Sequence, residues 1–135
     1  MKCGKILVID DDNEDMVIIR EAMEMINAEN VMLFAENGEK ALHLLDTRFS
    51  SDHIVPCLIV LDLNMPKMNG TQTLENLKAD DRFRNIPVII YSTSINPFEQ
   101  AKCVSLGAHA YITKPVSLKE SLETAQVFLN FCTTD

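Results

Sequence analysis

Five short apolar runs recur between stretches of helical pattern, and that alternation limits the fold more than any other feature of the sequence. The runs are Lys5–Ile9, Val31–Ala35, Cys57–Leu61, Val88–Tyr91 and Ala110–Thr113, and each stops at a polar or charged residue. Short β-branched runs of this kind read as strands. Helical spacing is predicted over Asn13–Ile26, from just after Asn37, and over Gly70–Lys78, Pro97–Leu106 and Ser117–Phe131. Val17, Ile18, Met23 and Ile26 mark the apolar stripe of the first helix, Ala41, Leu42, Leu44 and Leu45 that of the second, and Leu74 and Leu77 that of the third. Asn37 suits an N-cap. Pro97 is tolerated in a first turn, and Gly107 suits a helix stop. Strand and helix alternating five times imply an α/β, doubly wound, five-stranded parallel sheet with five helices on its two faces.

The 135 residues fit one domain, 1–135, with no Gly/Ser-rich linker inside it and no output domain expected. Two connections are longer than usual, Asp46–Pro56 and Ala79–Pro87, and both read as surface loops. A formal charge of −8 argues against nucleic acid and against an anionic membrane surface, leaving a protein or a cation as partner. No apolar run is long enough to cross a membrane. Met1-Lys2-Cys3-Gly4-Lys5 leads straight into the first run, so a signal peptide is not expected and a cytoplasmic location is. Cys3, Cys57, Cys103 and Cys132 are isolated, with no metal-ligand spacing, and are expected to be reduced packing residues. His43, His53 and His109 also lack metal spacing and are expected at the surface.

Three of the runs end in charge. The first stops at Asp10-Asp11, the third at Asp62 and the fifth at Lys114-Pro115. In parallel α/β sheets, ligands bind in the crevice outside the carboxyl ends of the strands. Three carboxylates and one ammonium at that edge suit a divalent cation and a phosphoryl group. Two unit charges about 4 Å apart interact by roughly 4 kcal/mol at an effective dielectric near 20, so the carboxylates need a counter-charge. Mg²⁺ accepts a few carboxylates plus water and phosphate oxygens. An aspartate can serve as the nucleophile in phosphoryl transfer. Asp12, the third of the acidic run, reads as a solvated helix-start residue.

The chain resembles the response-regulator receiver domains of bacterial two-component signalling, over essentially its whole length. The resemblance rests on Ile6–Asp11, on Leu61-Asp62-Leu63-Asn64-Met65-Pro66 with Gly70, on Pro87–Ser92, and on Gly107-Ala108 followed by Tyr111 and Lys114-Pro115. The run Tyr91-Ser92-Thr93-Ser94 looks most like single-domain receivers of the phytochrome-associated type. The resemblance implies a flavodoxin-like strand order of 2-1-3-4-5. It implies that Asp62 accepts a phosphoryl group from a sensor histidine kinase or phosphotransfer protein in a Mg²⁺-dependent reaction. Asp10, Asp11, Asp62 and the carbonyl of Asn64 would hold the metal. Lys114 and Ser92 would bind phosphoryl oxygens, Ser92 replacing the commoner threonine. Ser92 and Tyr111 would form the switch, and the Lys114–Pro115 bond would be cis.

With Mg²⁺-dependent self-phosphorylation and slow self-dephosphorylation as its only reactions, such a protein is not an enzyme in the usual sense. Its signal would leave through the face of the fourth helix, fifth strand and fifth helix, where Ile95, Phe98 and Phe128–Phe131 add apolar residues. A homodimer through that face is a further expectation. A phosphohydrolase of the haloacid-dehalogenase type also uses an aspartate after a strand. It needs a second aspartate two residues on, where this chain has Asn64. A receiver fold acting as an interaction module without phosphorylation is the remaining alternative.

Overall fold

Successive side chains of a strand point to opposite faces, so an apolar run without polar alternation needs cover on both sides. The computed structural model, which describes residues 4–49, 55–63 and 69–133, supplies that cover. Its strands are β1 (Ile6–Ile9), β2 (Met32–Ala35), β3 (Leu58–Leu61), β4 (Val88–Ser92) and β5 (Ala110–Thr113). Its helices are α1 (Asn13–Met25), α2 (Gly38–Leu44), α3 (Gly70–Ala79), α4 (Pro97–Ser105) and α5 (Leu118–Thr133). All the pairings are parallel, in the order β2-β1-β3-β4-β5, which is the expected topology.

The period of two splits the core. Leu7, Ile9, Ile59, Leu61, Val88 and Ile90 face α2, α3 and α4 through Ala41, Leu74, Leu77 and Cys103. Ile6, Val8, Leu58, Val60, Ile89 and Tyr91 face α1 and α5 through Ile19, Ala22, Met23, Ala125 and Phe128. The caps follow the expected chemistry. The Asn37 side chain accepts from the Lys40 amide at 2.8 Å, and Asn96 caps α4 ahead of Pro97. Asn69 and Gln72 form a reciprocal capping box at the start of α3.

Four expectations change in three dimensions. On α1 the buried stripe is Ile19, Ala22 and Met23, while Val17 and Ile18 are exposed. Three consecutive apolar residues cannot all face one side of a helix, so only Ile19 of the run turns inward. The Asp46–Pro56 connection starts as helix: a π-helical turn, Leu45–Phe49, prolongs α2 because Leu45 and Phe49 are both buried. The Ala79–Pro87 connection is anchored rather than loose. Phe83 and Ile86 enter the core, and the Lys78 ammonium donates to the carbonyls of Arg84 and Ile86 at 3.0 Å each.

The fourth correction concerns the cysteines. Cys57, just ahead of β3, and Cys132, in the last turn of α5, form a disulfide across a sequence separation of 75 residues, with Cα atoms 5.4 Å apart. Isolation in sequence did not prevent pairing, because the docking of α5 on the sheet brings its end to the amino edge of β3. Cys103 remains a buried free thiol. His43 and His109 are exposed as expected, while Cys3 and His53 lie outside the described residues.

Candidate functional site

The carboxyl edge of the sheet places the charged residues by extending its own hydrogen-bond ladder. The Asp10 amide donates to the Ala35 carbonyl at 3.1 Å, and the Asp62 amide to the Ile9 carbonyl at 2.9 Å. The Lys114 amide donates to the Ser92 carbonyl at 2.8 Å. Asp10, Asp62, Ser92 and Lys114 are thereby fixed in the backbone of four neighbouring strand ends.

Gly70 tightens the same edge. Its amide donates to the Leu63 carbonyl at 3.0 Å, and a Cβ there would sit 2.4 Å from the Asp62 carbonyl oxygen and 2.5 Å from Leu63 Cα. Only a residue without a Cβ lets the start of α3 close over the end of β3.

Carboxylate oxygens of Asp10, Asp11 and Asp62 lie within 4.8 Å of one another, with Asp10 and Asp62 buried and Asp11 exposed. The Lys114 ammonium, on a side chain only 8% exposed, lies 2.9 Å from Asp10 Oδ2, 3.7 Å from Asp62 Oδ1 and 2.6 Å from Asp15 Oδ2. Burial alone would lower the lysine's pKa, but its hydrogen bonds to Asp15 and Asp10 outweigh that and raise it. Lys114 is therefore a permanent cation. Burial raises the Asp10 pKa, opposed by the Asp12 amide and by Lys114. This set of hard oxygen donors, with two buried carboxylates needing counter-charge and one open to solvent, fits a divalent cation that keeps water ligands.

Ser92 is fully buried at the end of β4, and its hydroxyl oxygen accepts from the Ser94 amide at 3.1 Å. Tyr111 is half-buried. Its hydroxyl lies 2.8 Å from Glu99 Oε1 on α4 and 3.0 Å from the Ser94 carbonyl oxygen. Burial raises the phenol pKa, a hydrogen bond with Ser92 opposes the rise, and Glu99 adds to it. Tyr111 is thus tied to α4 through Glu99, and both switch residues hydrogen-bond to the backbone of Ser94. Asp12 caps α1, accepting from the amides of Glu14 at 2.9 Å and Asp15 at 3.3 Å, as a helix-start residue should.

Two expectations need correction or restriction. The Lys114–Pro115 bond is trans, since no described peptide bond is cis. The trans form of an X–Pro bond is favoured by about 0.5–1 kcal/mol, and Lys114 reaches the carboxylates without leaving it. Asn64, expected to give a carbonyl to the metal, lies outside the described residues. Sequence reasoning missed Asp15. The signal was an acidic residue in the first turn of α1, which reads equally well as a charge on the helix dipole.

The sequence model of the response regulator receiver domain matches residues 6–126. The chain belongs to that family. The receiver is 34% identical over 122 residues to the chemotaxis protein CheY1 of Helicobacter pylori, covering 88% of this chain and 94% of that one. It superimposes on the Mn²⁺-bound form of response regulator Rcp1 with a TM-score of 0.79 at 26% identity, covering 96% of each chain. On the phosphorylated cyanobacterial phytochrome response regulator RcpA the TM-score is 0.82 at 29% identity, covering 96% of this receiver and 94% of that chain.

Receivers are signalling proteins phosphorylated on an aspartate, not enzymes in the usual sense, and they bind Mg²⁺ or Mn²⁺ at an acidic pocket. Membership removes the haloacid-dehalogenase reading. Among the described residues, no helix is long and apolar enough to cross a membrane.

Proposed function

We propose that Asp62 is the phosphoacceptor, taking a phosphoryl group from a phosphohistidine of a sensor histidine kinase or a phosphotransfer protein. The observation that carries this is the position of the buried Lys114 ammonium, 3.7 Å from Asp62 and 2.9 Å from Asp10, at the carboxyl edge of the sheet. A carboxylate oxygen of Asp62 forms the new O–P bond as the donor's N–P bond breaks. Charge on the transferring group spreads over its equatorial oxygens, so positioning and electrostatics do most of the work. Lys114 addresses one of those oxygens, and the Ser92 hydroxyl a second. Asp10, Asp11 and Asp62 would hold Mg²⁺, which when bound supplies neutralising charge to the phosphoryl oxygens.

The donor must reach the edge beside Lys114. Val116 is 94% exposed and Leu118 59%, and both flank that edge together with exposed Ile18 of α1. An exposed apolar patch beside a charged centre fits a protein donor better than a small one alone. Such donors place the receiver in the cytoplasm.

On the other side of the switch, Phe98 is 85% exposed and Ile95 75%, while Phe128 is buried in the core. The surface formed by α4, β5 and α5 therefore offers Ile95 and Phe98, but not Phe128, to a partner. A second copy of the chain is the partner proposed for it.

Intact-mass analysis after incubation with acetyl phosphate and Mg²⁺ tests the reading. One acid-labile phosphate per chain is expected. No adduct would leave an interaction module with a receiver fold.

A further inference from the structure

Lys114 has more partners than the proposed transfer requires. Its shortest contact, 2.6 Å, is to Asp15 Oδ2, a carboxylate outside the Asp10, Asp11 and Asp62 group that could hold the cation. Asp62, which must share the ammonium after transfer, stands farther off at 3.7 Å. Asp15 sits in the first turn of α1, where the Asp12 cap fixes its amide at 3.3 Å. The carboxylate is thus presented by a capped helix rather than by a loose loop. Its side chain is about a quarter exposed, against 8% for Lys114.

We propose that Asp15 is a positioning residue that holds the Lys114 ammonium in the unphosphorylated receiver, so that a phosphoryl group on Asp62 gains the ammonium in competition with it. This inference rests on the assignment of Asp62 as phosphoacceptor. An ammonium has three donors. In the unphosphorylated protein two are engaged at hydrogen-bond distance, by Asp15 and Asp10, while Asp62 is an ion-pair neighbour beyond it. A phosphoryl group brings additional negative charge and acceptor oxygens to Asp62. Each contact of the ammonium with those oxygens is gained against the existing contact with Asp15. A competitor of this kind lowers the net gain from phosphorylation and sets how completely Lys114 moves. Removing it strengthens the hold on the phosphoryl group.

Beryllofluoride with Mg²⁺ stands in for the phosphoryl group on Asp62 and tests the competition by titration, with amide NMR confirming that each variant is folded. Asp15→Asn is expected to bind beryllofluoride about tenfold more tightly than wild type, near the lower limit of what a charge-assisted hydrogen bond contributes. Asp15→Glu, which keeps the carboxylate, is expected to return the affinity to near the wild-type value. A second readout needs neither metal nor beryllofluoride: the Lys114 side-chain ¹⁵N resonance of the free protein should shift in Asp15→Asn and hardly at all in Asp15→Glu. Unchanged affinity in Asp15→Asn, or weaker binding, would overturn the competition while leaving the phosphoacceptor reading intact, provided wild type binds. Failure of wild type itself to bind beryllofluoride with Mg²⁺ would overturn that reading, and this inference with it.

Discussion

The two ends of the β-sheet are built on opposite principles. At the carboxyl edge Asp10, Asp15 and Asp62 crowd around one ammonium, Asp11 adds a further carboxylate beside Asp10 and Asp62, and burial holds Asp10 above its ordinary pKa. At the amino edge the Cys57–Cys132 disulfide ties the last turn of α5 to the start of β3. One end carries unbalanced charge for which the folded state pays; the other supplies a covalent constraint. The difference shows that stability and chemistry in this receiver are separated along the strands, about one strand length apart. A site kept under electrostatic tension is tolerable when the rest of the sheet does not depend on it.

The largest effect should come from the stabilising end. A cross-link closing a loop of this length lowers the entropy of the unfolded chain by an amount worth about 4 kcal/mol. Cys132→Ser, or treatment of wild type with a thiol reductant, should lower unfolding free energy by most of that in urea melts. Equal stability of oxidised and reduced wild type would erase the contrast between the two ends.

Next comes the charged end with its counter-charge restored. Mg²⁺ at 100 times its dissociation constant should stabilise the fold by about 2.7 kcal/mol. Calorimetry should show the melting temperature rising with Mg²⁺ in wild type and hardly moving in Asp11→Ala. An identical rise in both would remove Asp11 from the site.

Gly70→Ala places a methyl group 2.4 Å from the Asp62 carbonyl oxygen, so the start of α3 must move away from β3. Overpacking of this kind costs about 2 kcal/mol. Labelling by acetyl phosphate should slow by more than that loss of stability explains, because the displaced backbone carries Asp62. Unaltered labelling kinetics in a destabilised variant would show that Gly70 serves packing alone.

The smallest effect is the most telling in sign. Because the folded pKa of Asp10 lies above its ordinary 3.8, its contribution to stability is present below that value and is lost as pH rises through the folded pKa. Above its folded pKa the ionised Asp10 therefore weighs against the metal-free fold. Asp10→Asn should raise the metal-free melting temperature slightly at pH 7 and abolish its response to Mg²⁺. A lower melting temperature would mean that the ion pair with Lys114 outweighs the cost of burying the carboxylate.

The strands and the residues at their ends were legible because they depend on short-range pattern. Ile6–Ile9 stopping at Asp10, and Leu58–Leu61 stopping at Asp62, carry both the fold and the site in a few residues. What escaped depends on how helices dock. Asp15 reads as a helix-dipole charge until α1 docks on the sheet next to α5, and only then does it meet Lys114, 99 residues away. Cys57 and Cys132 show no pairing signal until α5 lies along the sheet. Val17, Ile18 and Ile19 are equivalent by hydropathy, and only the rotation of α1 on the core separates the exposed pair from the buried one. The cis bond failed for the opposite reason, since resemblance implied a geometry that Lys114 does not need in order to reach Asp10.

The central claim, that Asp62 and no other aspartate of the cluster accepts the phosphoryl group, is tested most directly by locating the adduct. Borohydride reduction of the acetyl-phosphate-labelled protein converts an aspartyl phosphate to homoserine, which peptide sequencing by mass spectrometry can place. Conversion at position 62 alone, and none in Asp62→Asn, is the expected result. Conversion at Asp10, Asp11 or Asp15 in wild type, or undiminished conversion elsewhere in Asp62→Asn, would contradict it.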